Sequence, residues 1–125
     1  MPAKAFLQIA GAFAALAVLL GAFGAHGLKA KITPEMLAVY QTGVQSHMWH
    51  ALGLAIVALT AVRWPQLNGL RWAGWLMIVG IVLFSGSLYA LALTQIKILG
   101  AVTPIGGLAF IAAWILFAVA MWKAR

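Results

Sequence analysis

Residues 5–28 read AFLQIAGAFAALAVLLGAFGAHGL, an apolar stretch without a charged side chain. A helix needs about 20 mostly apolar residues to cross about 30 Å of hydrocarbon, so this stretch predicts a membrane span. Further uncharged stretches follow it at 36–62, 72–96 and 98–122. We therefore predict an all-α fold, a four-helix transmembrane bundle with spans at about 5–28, 36–62, 72–94 and 100–122.

The composition of the whole chain agrees with this prediction. Of its 125 residues, 66% are hydrophobic and 7% are charged, whereas about a quarter are charged in an average soluble domain. This composition excludes an ordinary soluble enzyme and a disordered tail. The chain has no Cys, which excludes a disulfide-built module and thiol catalysis. Four crossings use most of the chain, so we predict a single domain over 1–125.

The segments between the uncharged stretches carry helix-start and turn signals. In Thr33-Pro34-Glu35, Thr can cap exposed amides, Pro suits the first helical turn, and Glu suits the positive end of the helix. Residues 63–69, RWPQLNG, end the second span with turn residues. Thr103-Pro104 predicts a second cap of the same kind. Short connections favour an antiparallel, up-down-up-down arrangement.

The basic residues predict the orientation of the chain. With four spans, the side that holds both termini carries five of them and the other side three: Lys4, Arg63, Arg71, Lys123 and Arg125 against Lys29, Lys31 and Lys97. The positive-inside rule then predicts that both termini are cytoplasmic. The net charge of +7 is scattered over helix ends, which favours anionic lipid headgroups and argues against a nucleic acid partner.

Small residues predict where the helices touch. Membrane helices associate through close backbone approach, which small side chains permit. The first span carries a stripe of them at spacings of three or four: Ala10, Ala14, Ala17, Gly21, Gly24 and Gly27. In the third and fourth spans the predicted packing glycines are Gly80, Gly86, Gly106 and Gly107.

Polar residues inside the spans are the candidate functional site, because ionisable groups at membrane depth are costly and mark functional positions. Tyr40, Gly43, His47 and His50 step by three or four residues and therefore share one helix face. The predicted polar cluster consists of His26, Tyr40, Gln45, His47, His50, Ser87 and Tyr89. We expect Ser85 and Ser87 to bond carbonyls of their own helix. We expect the Trp and Phe side chains to face lipid or to lie at the membrane interface.

Four interpretations of this cluster stay open. It can hold the bundle in register through interhelical hydrogen bonds, or it can belong to a carrier or channel for a small solute, a proton or a lipid. Two His on facing helices could ligate haem iron, or the His side chains could bind a metal ion. The chain can also be an accessory subunit. The expected partners are membrane lipids, with a homo-oligomer or a larger membrane complex.

Enzymatic chemistry is the least favoured function. The chain has no Asp and no Cys, and Glu35 is its single carboxylate side chain. A carboxylate pair therefore cannot be assembled, and the Ser and His residues give only a weak signal of a Ser-His-acid set. We predict no catalytic residue, no metal site and no cofactor.

Four strings of sequence carry a family resemblance. They are GAFGAHGL at 21–28, YQTGVQSHMWHAL at 40–52, LFSGSLY at 83–89 and TPIGG at 103–107. Together they resemble the domain-of-unknown-function 423 family, the YgdD-like small inner-membrane proteins, which are similar to vertebrate transmembrane protein 256. The chain departs from the family pattern at Ser46, where an aromatic residue is usual. The resemblance implies a four-span bacterial inner-membrane protein without an established activity, and it supplies no site residues.

Overall fold

The computed structural model describes residues 2–125, which form helices joined by short connections. α1 (Ala3–Phe23) continues into a π-helical turn (Gly24–Leu28), and α2 (Pro34–Arg63) follows. α3 (Asn68–Gly80), a second π-helical turn (Ile81–Ser85) and α4 (Gly86–Thr94) form one continuous rod. A 3₁₀ turn (Lys97–Ala101) leads into α5 (Thr103–Lys123). The all-α prediction is confirmed for the described residues, which contain no strand.

Within residues 2–125, three helical rods are both long enough and apolar enough to cross a membrane: Ala3–Leu28, Asn68–Thr94 and Lys97–Lys123. α2 has 30 residues and a length of about 45 Å, which exceeds the hydrocarbon thickness. It is more polar than the other rods because its first 17 residues contain Gln41, Gln45, His47 and His50.

The predicted start of α2 is confirmed. The Thr33 side chain accepts a hydrogen bond from the Met36 N–H at 3.1 Å, and Pro34 and Glu35 occupy the first turn. The cap predicted at Thr103 is wrong. The 3₁₀ turn before α5 keeps Val102 in helical geometry, so Thr103 is already the first helical residue.

The connection after α4 contains the one non-glycine residue with positive φ among the described residues. Gln95 ends α4 in the left-handed conformation, with φ 59° and ψ 22°. Its N–H donates to the Leu91 carbonyl at 2.8 Å. This conformation is unfavourable for a residue with a Cβ, so the chain is strained at the turn.

α2 lies at the centre of the fold. α1 packs along it on one side, α3 and α4 pack on another, and α5 packs mainly against α3 and the second π-helical turn. Both halves of the third rod therefore pack against α2, and the α3 half also packs extensively against α5.

Apolar contacts fill both ends of the fold. One cluster surrounds Leu54, Val57 and Ala58 of α2 and includes Phe6 from α1 and Met77 from α3. A smaller cluster contains Leu28, Tyr40 and Ala92. Along α2, the polar residues lie between these two apolar clusters.

The small residues act mostly as predicted. Ala10 and Ala17 are buried on α1, and Gly24 is buried in the π-helical turn that continues it. A Cβ added to Gly24 would meet the ring of Tyr40. The packing role predicted for Gly86 is wrong, because no atom lies within 4 Å of a Cβ built there. Gly86 instead lines an open groove between α1 and α4.

Gly106 makes the tightest contact with main-chain atoms. A Cβ there would collide with the backbone N and Cα of Phe84, which belongs to the second π-helical turn. A collision with main chain cannot be relieved by a side-chain rotation. The approach of α5 to the third rod therefore depends on this glycine.

Candidate functional site

His50 is held on both sides of its ring. Nδ1 lies 2.7 Å from the Ser46 carbonyl oxygen, and Nε2 lies 3.1 Å from the indole nitrogen of Trp114. Because a carbonyl can only accept and an indole N–H can only donate, the ring proton is on Nδ1. The imidazole also stacks on Phe110, with ring centroids 3.5 Å apart. His50 thus joins α2 to α5 as a neutral ring with both nitrogens in use.

His47 joins α2 to α4. Its Nδ1 lies 2.8 Å from the Tyr89 hydroxyl. Its ring and that of Phe13 from α1 form a T-shaped pair, with centroids 5.9 Å apart. The side chain is 2% exposed. Its Nε2 has no hydrogen-bond partner among residues 2–125.

The two tyrosines extend this contact to α1. The Tyr40 hydroxyl donates to the Leu20 carbonyl at 2.6 Å, and the rings of Tyr40 and Tyr89 lie 5.2 Å apart. Tyr40 is 1% exposed. A hydrogen bond to a helix carbonyl and a ring contact therefore fix α1, α2 and α4 against one another.

Two serines complete the interhelical bonds. Ser85 Oγ donates to the Gly43 carbonyl at 2.8 Å, so the expectation that Ser85 bonds its own helix is wrong. Gly43 has no side chain, which lets Ser85 reach the main chain of α2. Ser87 donates to the Phe84 carbonyl of its own helix at 2.9 Å, as predicted. Its oxygen also lies 2.6 Å from the Thr103 hydroxyl, which links the third rod to α5.

Five of the seven predicted residues belong to these contacts, and the structure does not bring His26 and Gln45 to them. Both side chains are exposed. Gln45 precedes His47 by two residues, which places the two side chains about 200° apart around the helix. Gln45 lines a shallow groove of about 350 Å³ with Gln41 and Gly21. In the first π-helical turn, Gly24 and Leu28 face inward and His26 does not.

The cluster also contains Ser46, Phe110 and Trp114, which the sequence did not single out as members. The prediction that Trp and Phe side chains face lipid or the membrane interface is wrong for Phe110, which is 6% exposed. It is incomplete for Trp114, whose N–H bonds His50. Trp usually lies at the membrane–water interface. A Trp near the middle of an uncharged span was therefore the signal of a polar partner.

This geometry gives little support for the binding of a metal ion or haem by the histidines. In the described part of the chain, no three His, Cys, Asp or Glu side chains come together. Coordination by His50 would require breaking a hydrogen bond to Ser46 or Trp114. The carboxylate of Glu35 is exposed at the start of α2, away from both imidazoles. The arrangement consists of neutral donors and acceptors that connect helices.

The fold and this site define a helical membrane protein whose buried polar side chains bond one helix to the next. Residues 20–107 match the family described as protein of unknown function (DUF423), and the chain belongs to this family. It is 57% identical to the UPF0382 membrane protein YwdK of Bacillus subtilis, over 96% of this chain and 98% of the relative. It is 46% identical to a UPF0382 membrane protein of Staphylococcus haemolyticus, over 96% and 97% respectively. No solved structure matches the chain.

Proposed function

We propose that the chain crosses the bacterial plasma (inner) membrane four times in an up-and-down bundle, with both termini in the cytoplasm. Contacts between opposite ends of successive rods support this arrangement. Tyr40, early in α2, bonds Leu20, late in α1, and Gly43 bonds Ser85 in the second half of the third rod. α2 is long enough to cross, and on its inner faces His47 bonds Tyr89 of α4 and His50 bonds Trp114 of α5.

Fusions of a cytoplasm-dependent fluorescent reporter and an export-dependent phosphatase test this topology. We expect fluorescence from fusions at both termini and phosphatase activity from a fusion within 29–33. Ends in opposite compartments would contradict four crossings.

We further propose that the molecular role is that of a non-enzymatic structural or accessory membrane component, in which the polar cluster holds the helices in register. One observation carries this proposal: both ring nitrogens of His50 are bonded within the chain and its ring is stacked on Phe110. A side chain with no free nitrogen is suited to positioning helices and poorly suited to binding a ligand. Interhelical hydrogen bonds of this kind stabilise membrane proteins by about 0.6–2 kcal/mol each.

A double-mutant cycle of His50→Ala and Trp114→Phe tests the structural role. Reversible unfolding in mixed micelles should give a coupling energy of about 0.6–2 kcal/mol between the two substitutions. An absorption spectrum and a native mass spectrum of the unmodified protein complete the test. Additive effects, a haem absorption band or a stoichiometric metal would each contradict the proposal.

Carriage of a small solute, a proton or a lipid is the second candidate function. It is favoured by the groove of about 220 Å³ between α1 and the third rod, which is apolar except for His47 and Tyr89. If this groove binds a lipid chain, native mass spectra should show a lipid adduct that Gly86→Leu removes. An adduct unaffected by that substitution would argue against the groove.

A further inference from the structure

The outer face of α2 carries an exposed heptad stripe. Nine residues recur at alternating spacings of three and four, and all nine are exposed: Glu35, Ala38, Thr42, Gln45, Trp49, Leu52, Ile56, Leu59 and Arg63. We call this set the α2 stripe. A strict seven-residue repeat is the pattern by which two helices pack side by side in a left-handed pair. On the opposite face, α2 already packs against its own chain.

The depth of Gln45 follows from its neighbours, given the four-crossing topology proposed above. Val44 packs against Gly21, so Gln45 lies level with about Leu20 of α1. Along α1, that level is about 13 Å from Lys29 and about 24 Å from Lys4 at 1.5 Å per residue. We centre a hydrocarbon layer of about 30 Å between these two lysines. Gln45 then lies about 10 Å below the surface of that layer on the Lys29 side.

Gln45 and Trp49 therefore present polar groups to the surrounding acyl chains, inside the hydrocarbon layer of the membrane. Trp49 lies one helical turn beyond Gln45 and is 62% exposed. Within the described residues, neither the Gln45 carboxamide nor the Trp49 indole N–H is hydrogen-bonded. Acyl chains offer no partner, and an unpaired amide in an apolar medium costs several kcal/mol. The α2 stripe thus requires a polar partner in the membrane.

We propose that this partner is a second copy of the chain, joined through the α2 stripe by a two-fold axis along the membrane normal. Copies inserted in the same orientation place their α2 helices parallel, so that each Gln45 meets the Gln45 of the other copy. A carboxamide both donates and accepts, which makes it complementary to itself in an isologous interface. The Trp49 N–H adds a donor one turn away. A polar residue at one position inside the membrane-embedded part of such a stripe also fixes the register of the pair.

Disulfide cross-linking in native membranes tests the interface, because the chain has no Cys of its own. Single substitutions Thr42→Cys, Leu52→Cys and Ile56→Cys should give covalent dimers on oxidation. The matched controls Leu19→Cys and Leu108→Cys, on the exposed faces of α1 and α5, should stay monomeric. Equal yields from stripe and controls, or products of another mass, would overturn the proposal.

The role of Gln45 is tested by energy transfer between labelled copies in lipid vesicles at varied dilution. Gln45→Leu should weaken dimerisation about threefold to thirtyfold, the range for one interhelical hydrogen bond. Gln8→Leu, at another exposed glutamine near the start of α1, should leave dimerisation unchanged. Undiminished association of Gln45→Leu would overturn the amide pairing. Monomeric protein with both termini cytoplasmic would refute the dimer alone, whereas termini in opposite compartments would refute the topology.

Discussion

The substitution Gly106→Ala tests whether the stability of the protein depends on the close approach of α5 to the third rod. The added methyl group would collide with the N and Cα atoms of Phe84, so the two helices must separate or bend. Overpacking of this kind destabilises proteins by about 1–3 kcal/mol. Gly86→Ala is the matched control, because it makes the same chemical change in a helix with no atom within 4 Å of the new Cβ.

The difference between the two variants isolates the collision. Any gain from replacing a helical Gly by Ala, up to about 1 kcal/mol, is common to both and cancels in the difference. Reversible unfolding in mixed micelles can be followed by Trp fluorescence. The free energy of unfolding of Gly106→Ala should be about 1–3 kcal/mol lower than that of Gly86→Ala. Equal stability of the two variants would show that α5 does not contact Phe84 as described.

Three further substitutions can be checked by thermal unfolding in one detergent. His50→Ala should lower the melting temperature more than Lys97→Ala, because it breaks buried contacts and the lysine is exposed; equal effects would contradict the structural role of the cluster. Gly24→Leu should unfold the protein or sharply lower its melting temperature, since the added side chain meets the Tyr40 ring; unchanged stability would refute that packing. Gln95→Gly should stabilise the protein by about 1 kcal/mol by relieving the left-handed strain, and destabilisation would refute that origin.

The sequence predicted the helices well because charged and turn residues mark their ends. α2 begins at Pro34, after the Thr33 cap that the local pattern indicated. Thr103 carries the same pattern, yet the 3₁₀ turn before it removes the capping position and its hydroxyl contacts Ser87 instead. Local patterns fix a cap only where the preceding backbone leaves the helix.

The members of the polar cluster could be predicted where helical spacing alone determines which side chains share a face. Tyr40, His47 and His50 share a face of α2, and the structure buries all three. The partners of His50 could not be predicted, because Trp114 lies 64 residues away and reaches it only through tertiary packing. Gln45 falls outside the cluster because its angular position around the helix points away from His47.

The π-helical turn at Ile81–Ser85 has a consequence for the register of the third rod. A wide turn holds one residue more than a regular helix needs, and each residue advances the helix by about 100°. Deleting one residue there would let the rod continue as ordinary α-helix while turning α4 by that angle relative to α3. Ser85 and Tyr89 would then rotate away from Gly43 and His47, while α3 stayed seated on α5. The extra residue thus lets one rod pack α3 against both α2 and α5 while Ser85 and Tyr89 still face Gly43 and His47 of α2.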